Sequence, residues 1–342
     1  MEHTIDLNKY ELRTDLITEI IDNNDINSID THINEYENIK VTKVLLDKNN
    51  SLLLNKKEGI YITIEFEDIT DFNNKEKLKQ IFSDNLKNLI EEINIKEKDS
   101  CLIIGLGNSK STPDALGPLV IDNILVTNHL FKINEVEEGF RPVSAFIPGV
   151  TGVTGIETSL LIKSAINSVK PNFLIIIDAL ASQSLSRLNK TIQITNTGIN
   201  PGSGVGNTRC EISYETMGIP VISIGVPTVV DATVIVSDTI NFMQKNYVFN
   251  KEFKKNPMNK LVLNNSINYL KKEITISSED KKNLLGLIGS LTEEEIKQLI
   301  FEVLTPIGYN LMVTPKEVDF IIDKLGNVIG NGINKALHKK VE

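Results

Sequence analysis

The chain has 342 residues, 41% hydrophobic and 24% charged, proportions of a folded globular protein and not of a disordered or fibrous one. Its net charge is −9 and it has no long basic run, so a direct role on nucleic acid is not expected, because phosphate binding needs clustered positive charge. Cys101 and Cys210 are its only cysteines; with no CxxC spacing they exclude a disulfide framework and a thiolate zinc site, and fit a reducing cytoplasm.

The start, MEHTIDLNKYELRTDLITEI, carries Glu2, Asp6, Glu11 and Asp15 and no long apolar stretch, so it does not read as a signal peptide. No segment reaches the roughly 18 apolar residues of a membrane span. A soluble, cytoplasmic protein without membrane or nucleic-acid partners is expected.

In the first hundred residues the clearest element is GIYITIEFED, where Ile60, Ile62, Ile64 and Phe66 alternate with Tyr61, Thr63 and Glu65. That alternation predicts a half-buried strand. From residue 100 the texture changes to continuous apolar runs between Gly/Pro/Asp loops: CLIIGLG, PVSAFIPG, FLIIIDAL, TIQITNTG and VISIGVPT. Such runs suit strands covered on both faces. Helical patterns lie between them, in ETSLLIKSAINSV and from Pro113 to about Val126. The expectation is an α/β fold, a three-layer sandwich with a largely parallel or mixed central sheet.

Residues 245–285 are polar and rich in Lys and Asn, as in a peripheral excursion from one α/β domain. Beyond them, Ser290 and Glu293 stand at capping-box spacing, and Thr314, Pro315 and Glu317 read as a second helix start. Val318, Ile321, Ile322, Leu325, Val328 and Ile329 share one helical face.

The stretch IIGLGNSKSTPDALGPLVID, residues 103–122, imitates a phosphate loop. It fails the Walker pattern at both glycines: position 104 is Ile, and Ser109 precedes Lys110. Gly105 and Gly107 follow a strand, but Lys110 occupies the third glycine of the dinucleotide fingerprint. What remains is a strand, a tight turn at Asn108, and a helix start in which Thr112 would cap, Pro113 would be the first helical residue and Asp114 would face the positive end of the dipole. An Asp there is commonly just a stabilising charge.

In FLIIIDALAS, Asp178 follows five apolar residues and reads as the end of a buried strand, where open α/β sheets collect ligands. Capping of the next loop is the plain alternative. If the strands bearing Gly105 and Asp178 are neighbours, Asp114 and Asp178 face one crevice. Other chemistries find little footing. The four histidines lie outside any strand-end motif, and HExxH and GxSxG are absent. Neither cysteine has a His partner suggesting a thiol mechanism. The glycine loops at Gly105, Gly107 and Asn108 and at Gly202, Gly204 and Gly206 are candidates to present N–H groups to an oxyanion or a substrate. The loop at 147–158 is explained by turns and caps.

Taken together, ELRTDL, GLGNSKSTPDALGPLV, IPGVTGVTGIETS, IIIDALAS, TIQITNTGINPGSGVGN, GIPVISIGVPTVVDA and GSLTEEEIKQLIFEVLTPIGYNLMVTPKEVD resemble the germination protease family of spore-forming bacteria, from residue 1 to about 338. The resemblance implies a fold like that of hydrogenase maturation proteases and an atypical aspartic endopeptidase without a cofactor or metal, whose two aspartates map to Asp114 and Asp178. It implies a tetrameric zymogen with a propeptide of residues 1–15, self-cleaved between Asp15 and Leu16, and a peptidase domain of residues 16–342. Its implied substrates are the small acid-soluble spore proteins of the forespore and spore core. Two carboxylates in one crevice can share a proton, leaving one as base and the other as acid. Three rivals stand beside this reading: a metal-dependent maturation-type peptidase using the same crevice, a nucleotide-binding module built on GLGNSKST, and an inactive spore-protein binder.

Overall fold

One sheet carries strands β1 (Asp30–Tyr36), β2 (Ile39–Leu46), β3 (Gly59–Phe66), β4 (Cys101–Gly105), β5 (Val143–Phe146), β6 (Phe173–Ser182), β7 (Thr191–Thr195) and β8 (Val221–Asp231). The computed structural model describes residues 14–24, 29–202, 210–255, 274–304 and 311–341. The chain divides into two units, one comprising Arg13–Val230 and Thr314–Glu342, the other including Asp231–Val313.

In the first unit the strands run in the order β1-β2-β3-β7-β8-β6-β4-β5. Strands β5, β4, β6 and β8 are mutually parallel. From β8 through β7, β3, β2 and β1 every pairing is antiparallel. The sheet is thus mixed. All five apolar runs are strands, and β4, β6 and β8 of the parallel half are covered on both faces, as continuous apolar runs require.

The first unit's helices are α1 (Ile17–Asn24), α2 (Lys48–Leu54), α3 (Phe72–Glu92), α4 (Leu116–Ile121), α5 (Asn128–Lys132), α6 (Thr151–Thr154), α7 (Thr158–Val169), α8 (Tyr214–Met217) and α12 (Val318–Leu337). The second unit contains α9 (Ala232–Lys255), α10 (Ser278–Leu285) and α11 (Glu293–Leu304). Side chains of period two divide the sheet between two helical layers. Ile103, Ile175, Ile177, Ile222 and Ile224 pack with Phe82 and Leu86 of α3, Leu116 and Val120 of α4, and Leu325 and Val328 of α12. Leu102, Ile104, Leu174, Ile176 and Val221 pack with Ile162 of α7 on the opposite face.

Four local expectations are corrected. Strand β3 is buried on both faces and not on one, because Ile17 of α1 covers Tyr61 together with Val44 and Leu46. The helix expected from Pro113 starts at Leu116, preceded by a separate 3-10 turn, Thr112–Asp114, whose N-cap Ser111 makes no side-chain cap. Helix α11 is capped by Thr292: its N–H donates to Glu295 Oε2 at 2.7 Å, while the Glu295 N–H donates to Thr292 Oγ1 at 3.2 Å. Thr314 does not cap α12, since its hydroxyl donates to the Thr228 carbonyl at 2.9 Å and Glu317 holds the cap position.

Within α12 the glycines that weaken its helix propensity have a packing reason. A Cβ at Gly326 would stand 2.9 Å from Leu119 Cβ, and one at Gly330 would stand 2.5 Å from Asn123 Cβ. Without side chains there, α12 lies directly against the α4 segment. Of the expected excursion at 245–285, residues 245–255 continue α9 and 278–285 form α10, while 256–273 lie outside the described residues.

Candidate active site

The chain goes from β4 outward to β5, then returns past β4 to β6 on its other side. That reversal makes the carboxyl ends of β4 and β6 the switch point of the parallel half, where α/β sheets open a crevice. The two strands are direct neighbours, in register from Cys101↔Phe173 to Gly105↔Ile177. The ladder is extended by the Leu106 N–H, which donates to the Ile177 carbonyl at 2.8 Å.

Beyond β4 the backbone folds tightly onto itself. The Asn108 N–H donates to the Asp114 carbonyl at 2.9 Å, the Ser111 N–H to Asn108 at 2.9 Å, and the Asp114 N–H to Ser111 at 2.8 Å. A buried hydroxyl, that of Thr228 on β8, donates to the Pro113 carbonyl at 2.7 Å. Gly107 has φ 109, a conformation that strongly favours glycine. A Cβ on Gly105 would come 2.4 Å from the Gly117 carbonyl oxygen, so that glycine lets α4 approach the strand end. The turn bearing Asp114 is therefore fixed from three directions: β4, α4 and β8.

Asp178 is 7% exposed. It is not the end of its strand, as expected from sequence, because β6 continues to Ser182 by pairing with β8, with Asp178 opposite Gly225. It is the first β6 position past the β4–β6 register. Its Oδ1 accepts the Ala179 N–H at 2.9 Å. The turn containing Asp114 packs against β6, so both aspartates belong to the same edge of the same strand pair.

A second group of contacts lies farther along β6. The Asp15 N–H donates to the Ala181 carbonyl at 3.3 Å, and Asp15 Oδ2 accepts the Ala181 N–H at 3.0 Å. Gln193 of β7 brackets the Asp15–Leu16 peptide: its Nε2 donates to the Asp15 carbonyl at 3.0 Å and its Oε1 accepts the Ile17 N–H at 2.8 Å. Leu16 and Ile17 are fully buried. Lys56 Nζ reaches the Thr14 carbonyl at 3.4 Å; burial pushes its pKa down, and the Asp15 charge opposes that shift. Gln193 and its neighbours escaped sequence reasoning, because a lone Gln within TIQIT is the only signal and it fits no motif.

Of the remaining candidates, Gly202 has φ 74, while Gly204 and Gly206 lie outside the described residues. Burial pushes the Cys101 thiol pKa up, as expected of a core residue. Among the described residues no group of three His, Cys, Asp or Glu is placed to hold a metal ion. No described helix is long and apolar enough to cross a membrane.

Comparison with known proteins adds the family. A profile of the germination protease family matches residues 9–342. The chain is 48% identical to the germination protease of Bacillus mycoides, over 100% of this chain and 98% of that protein. It is 46% identical to that of Bacillus subtilis, over 98% of this chain and 96% of that one. A solved [NiFe] hydrogenase maturation protease, HycI of Thermococcus kodakarensis, overlaps 42% of this chain and 80% of its own at 17% identity and a TM-score of 0.27, too low to support residue correspondences. Full-length identity of this order leaves no separate origin to consider: the chain belongs to the germination protease family.

Proposed function

We propose that the chain is an endopeptidase that begins the breakdown of small acid-soluble spore proteins at germination, with Asp114 and Asp178 as its acid–base pair. The family supports a germination protease. The finer reading is supported chiefly by the register of β4 with β6, which brings the Asp114 turn and Asp178 to one switch-point edge. One carboxylate takes a proton from water as its oxygen adds to the peptide carbonyl carbon. The other carboxyl gives a proton to the departing nitrogen, so water is divided between the two products. In this scheme Gly105, Gly107 and Asn108 build the turn, since the Asn108 N–H is already engaged by Asp114.

The reading includes a zymogen cut between Asp15 and Leu16, homotetramer assembly, and work in the cytoplasm of the forespore and spore core. Of the propeptide, residues 1–13 lie outside the described residues. The burial and bracketing of the Asp15–Leu16 bond suit a precursor held intact until it is released.

The test is a mass-spectrometric time course of a small acid-soluble spore protein with the processed chain, with and without chelator, beside Asp114→Asn and Asp178→Asn. Cleavage at defined bonds, indifferent to chelator and reduced at least about a hundredfold in each variant, is expected. A variant that kept more than about a tenth of the activity would remove that residue from the pair. Loss of cleavage with chelator would favour metal chemistry instead.

A further inference from the structure

Glu19 is 4% exposed, and its carboxylate is bound from several sides. Its Oε1 accepts the Ser182 hydroxyl at 2.5 Å, and its Oε2 accepts the Gln183 N–H at 2.7 Å. Arg187 Nη1 lies 3.9 Å away. Glu19 thereby ties the start of α1 to the end of β6, the strand that carries Asp178. Its remaining partner comes from the other side of the Asp15–Leu16 bond: Thr14 Oγ1 donates to Oε2 at 2.5 Å. The same Thr14 oxygen accepts the Leu16 N–H at 3.1 Å. A single hydroxyl thus stands between the Glu19 carboxylate and the Leu16 nitrogen.

Resting on the reading that maturation cuts Asp15–Leu16, we infer that the cut creates a buried ion pair between the new Leu16 ammonium and Glu19, and that Glu19 positions the end of β6 in the mature enzyme. Hydrolysis puts the water oxygen on the Asp15 carbonyl carbon, which becomes a carboxylate. Both water hydrogens go to the Leu16 nitrogen, which becomes an ammonium. Thr14 leaves with the amino-terminal fragment, taking the bridging hydroxyl with it. Leu16 and Ile17 stay, because their side chains are fully buried and Ile17 packs on Val44 and Tyr61. A charge left in such a place needs a partner, and the carboxylate that has just lost a donor is the group Thr14 had connected to it. A neutral hydroxyl donor is replaced by a full positive charge, which adds Coulomb attraction to a hydrogen bond on the carboxylate.

The other charges around the pair are Arg187, itself bonded to Asp22 and Glu65, and Lys56, which loses its Thr14 carbonyl contact and the Asp15 charge if that residue departs. Glu19 is thus a positioning residue, acting on Asp178 through β6 and not on the substrate.

The full chain is processed, its new terminus is identified by mass spectrometry, and the α-amine is reductively methylated with 13C-formaldehyde and cyanoborohydride and titrated by NMR. An α-amine titrating above about pH 9, against about 8 for a free one, is expected, with the shift gone in Glu19→Gln. Glu19→Gln is also expected to lower kcat about tenfold with KM within about twofold, and Glu19→Asp to recover part of kcat. A processed wild-type chain that begins at Leu16 but titrates at or below about pH 8 overturns the ion pair even if Glu19→Gln fails to fold. A folded Glu19→Gln enzyme with wild-type kcat overturns the positioning role. A processed chain beginning at another residue overturns the cleavage-site reading instead.

Discussion

Gly107 lies so close to Asp114 that a Cβ on it would stand 2.0 Å from the Asp114 carbonyl oxygen and 3.1 Å from its Oδ1. The neighbour is backbone, which the Asn108 N–H holds at 2.9 Å, so it cannot step aside as a flexible side chain would. The φ of 109 at Gly107 adds strain for any residue with a Cβ. On the proposed acid–base role of Asp114, Gly107→Ala is expected to displace Asp114 and reduce kcat about a hundredfold, the order that follows misplacement of a reacting group by about 1 Å. Steady-state kinetics beside a melting curve checks this, and an alanine variant with wild-type kcat would show that the turn does not set the position of Asp114.

Gln193 brackets the Asp15–Leu16 bond, which the proposed function makes the processing junction. Its amide completes the hydrogen bonds of both Asp15 and Ile17, and Leu there removes both and leaves two backbone groups to find water. The cost is about 1–3 kcal/mol per unsatisfied group, charged to the seated junction. On the proposed cut at Asp15–Leu16, with the bond leaving this seat before it is cleaved, Gln193→Leu is expected to speed conversion of precursor to processed chain at least about thirtyfold, the equivalent of about 2 kcal/mol. A gel or mass-spectrometric time course measures it. Slower conversion would instead make Gln193 a helper of the cut.

The strands from β4 onward were legible because residues such as Phe173–Ile177 are covered on both faces and their apolar runs are uninterrupted. The misreadings at Tyr61 and Asp178 share a non-local cause. Tyr61 looks like the outward member of an alternating pair, and only the later packing of Ile17 buries it. Asp178 looks terminal, and only the length of β8, 11 residues against 5 in β4, carries β6 onward beside it. Asp114 and Asp178 could each be singled out from local patterns, but that they share an edge depends on strand order. The contacts of Glu19 with Ser182 and Gln183 span more than 160 residues of sequence and left no pattern to read.

His338 offers a test in pH. It is 1% exposed, its Nδ1 accepts the Arg141 backbone N–H at 3.1 Å, and its Nε2 is buried. Burial lowers its pKa to about 4 from an ordinary 6.5, with the Leu125 backbone opposing that shift and the nearby Arg141 charge adding to it. Above pH 6.5 the ring is neutral whether the chain is folded or not, and it adds no pH dependence. As pH falls from 6.5 towards 4 the unfolded chain takes up the proton and the folded chain resists it, so stability is lost across that window. The loss from this one group is about 2–3 kcal/mol by pH 4.5. Urea unfolding at pH 7.5 and 4.5 should therefore show the wild type losing that much more than His338→Gln, whose side chain does not titrate. Equal losses in the two proteins would mean that the imidazole takes its proton in the folded chain as readily as in the unfolded one, through water admitted to Nε2.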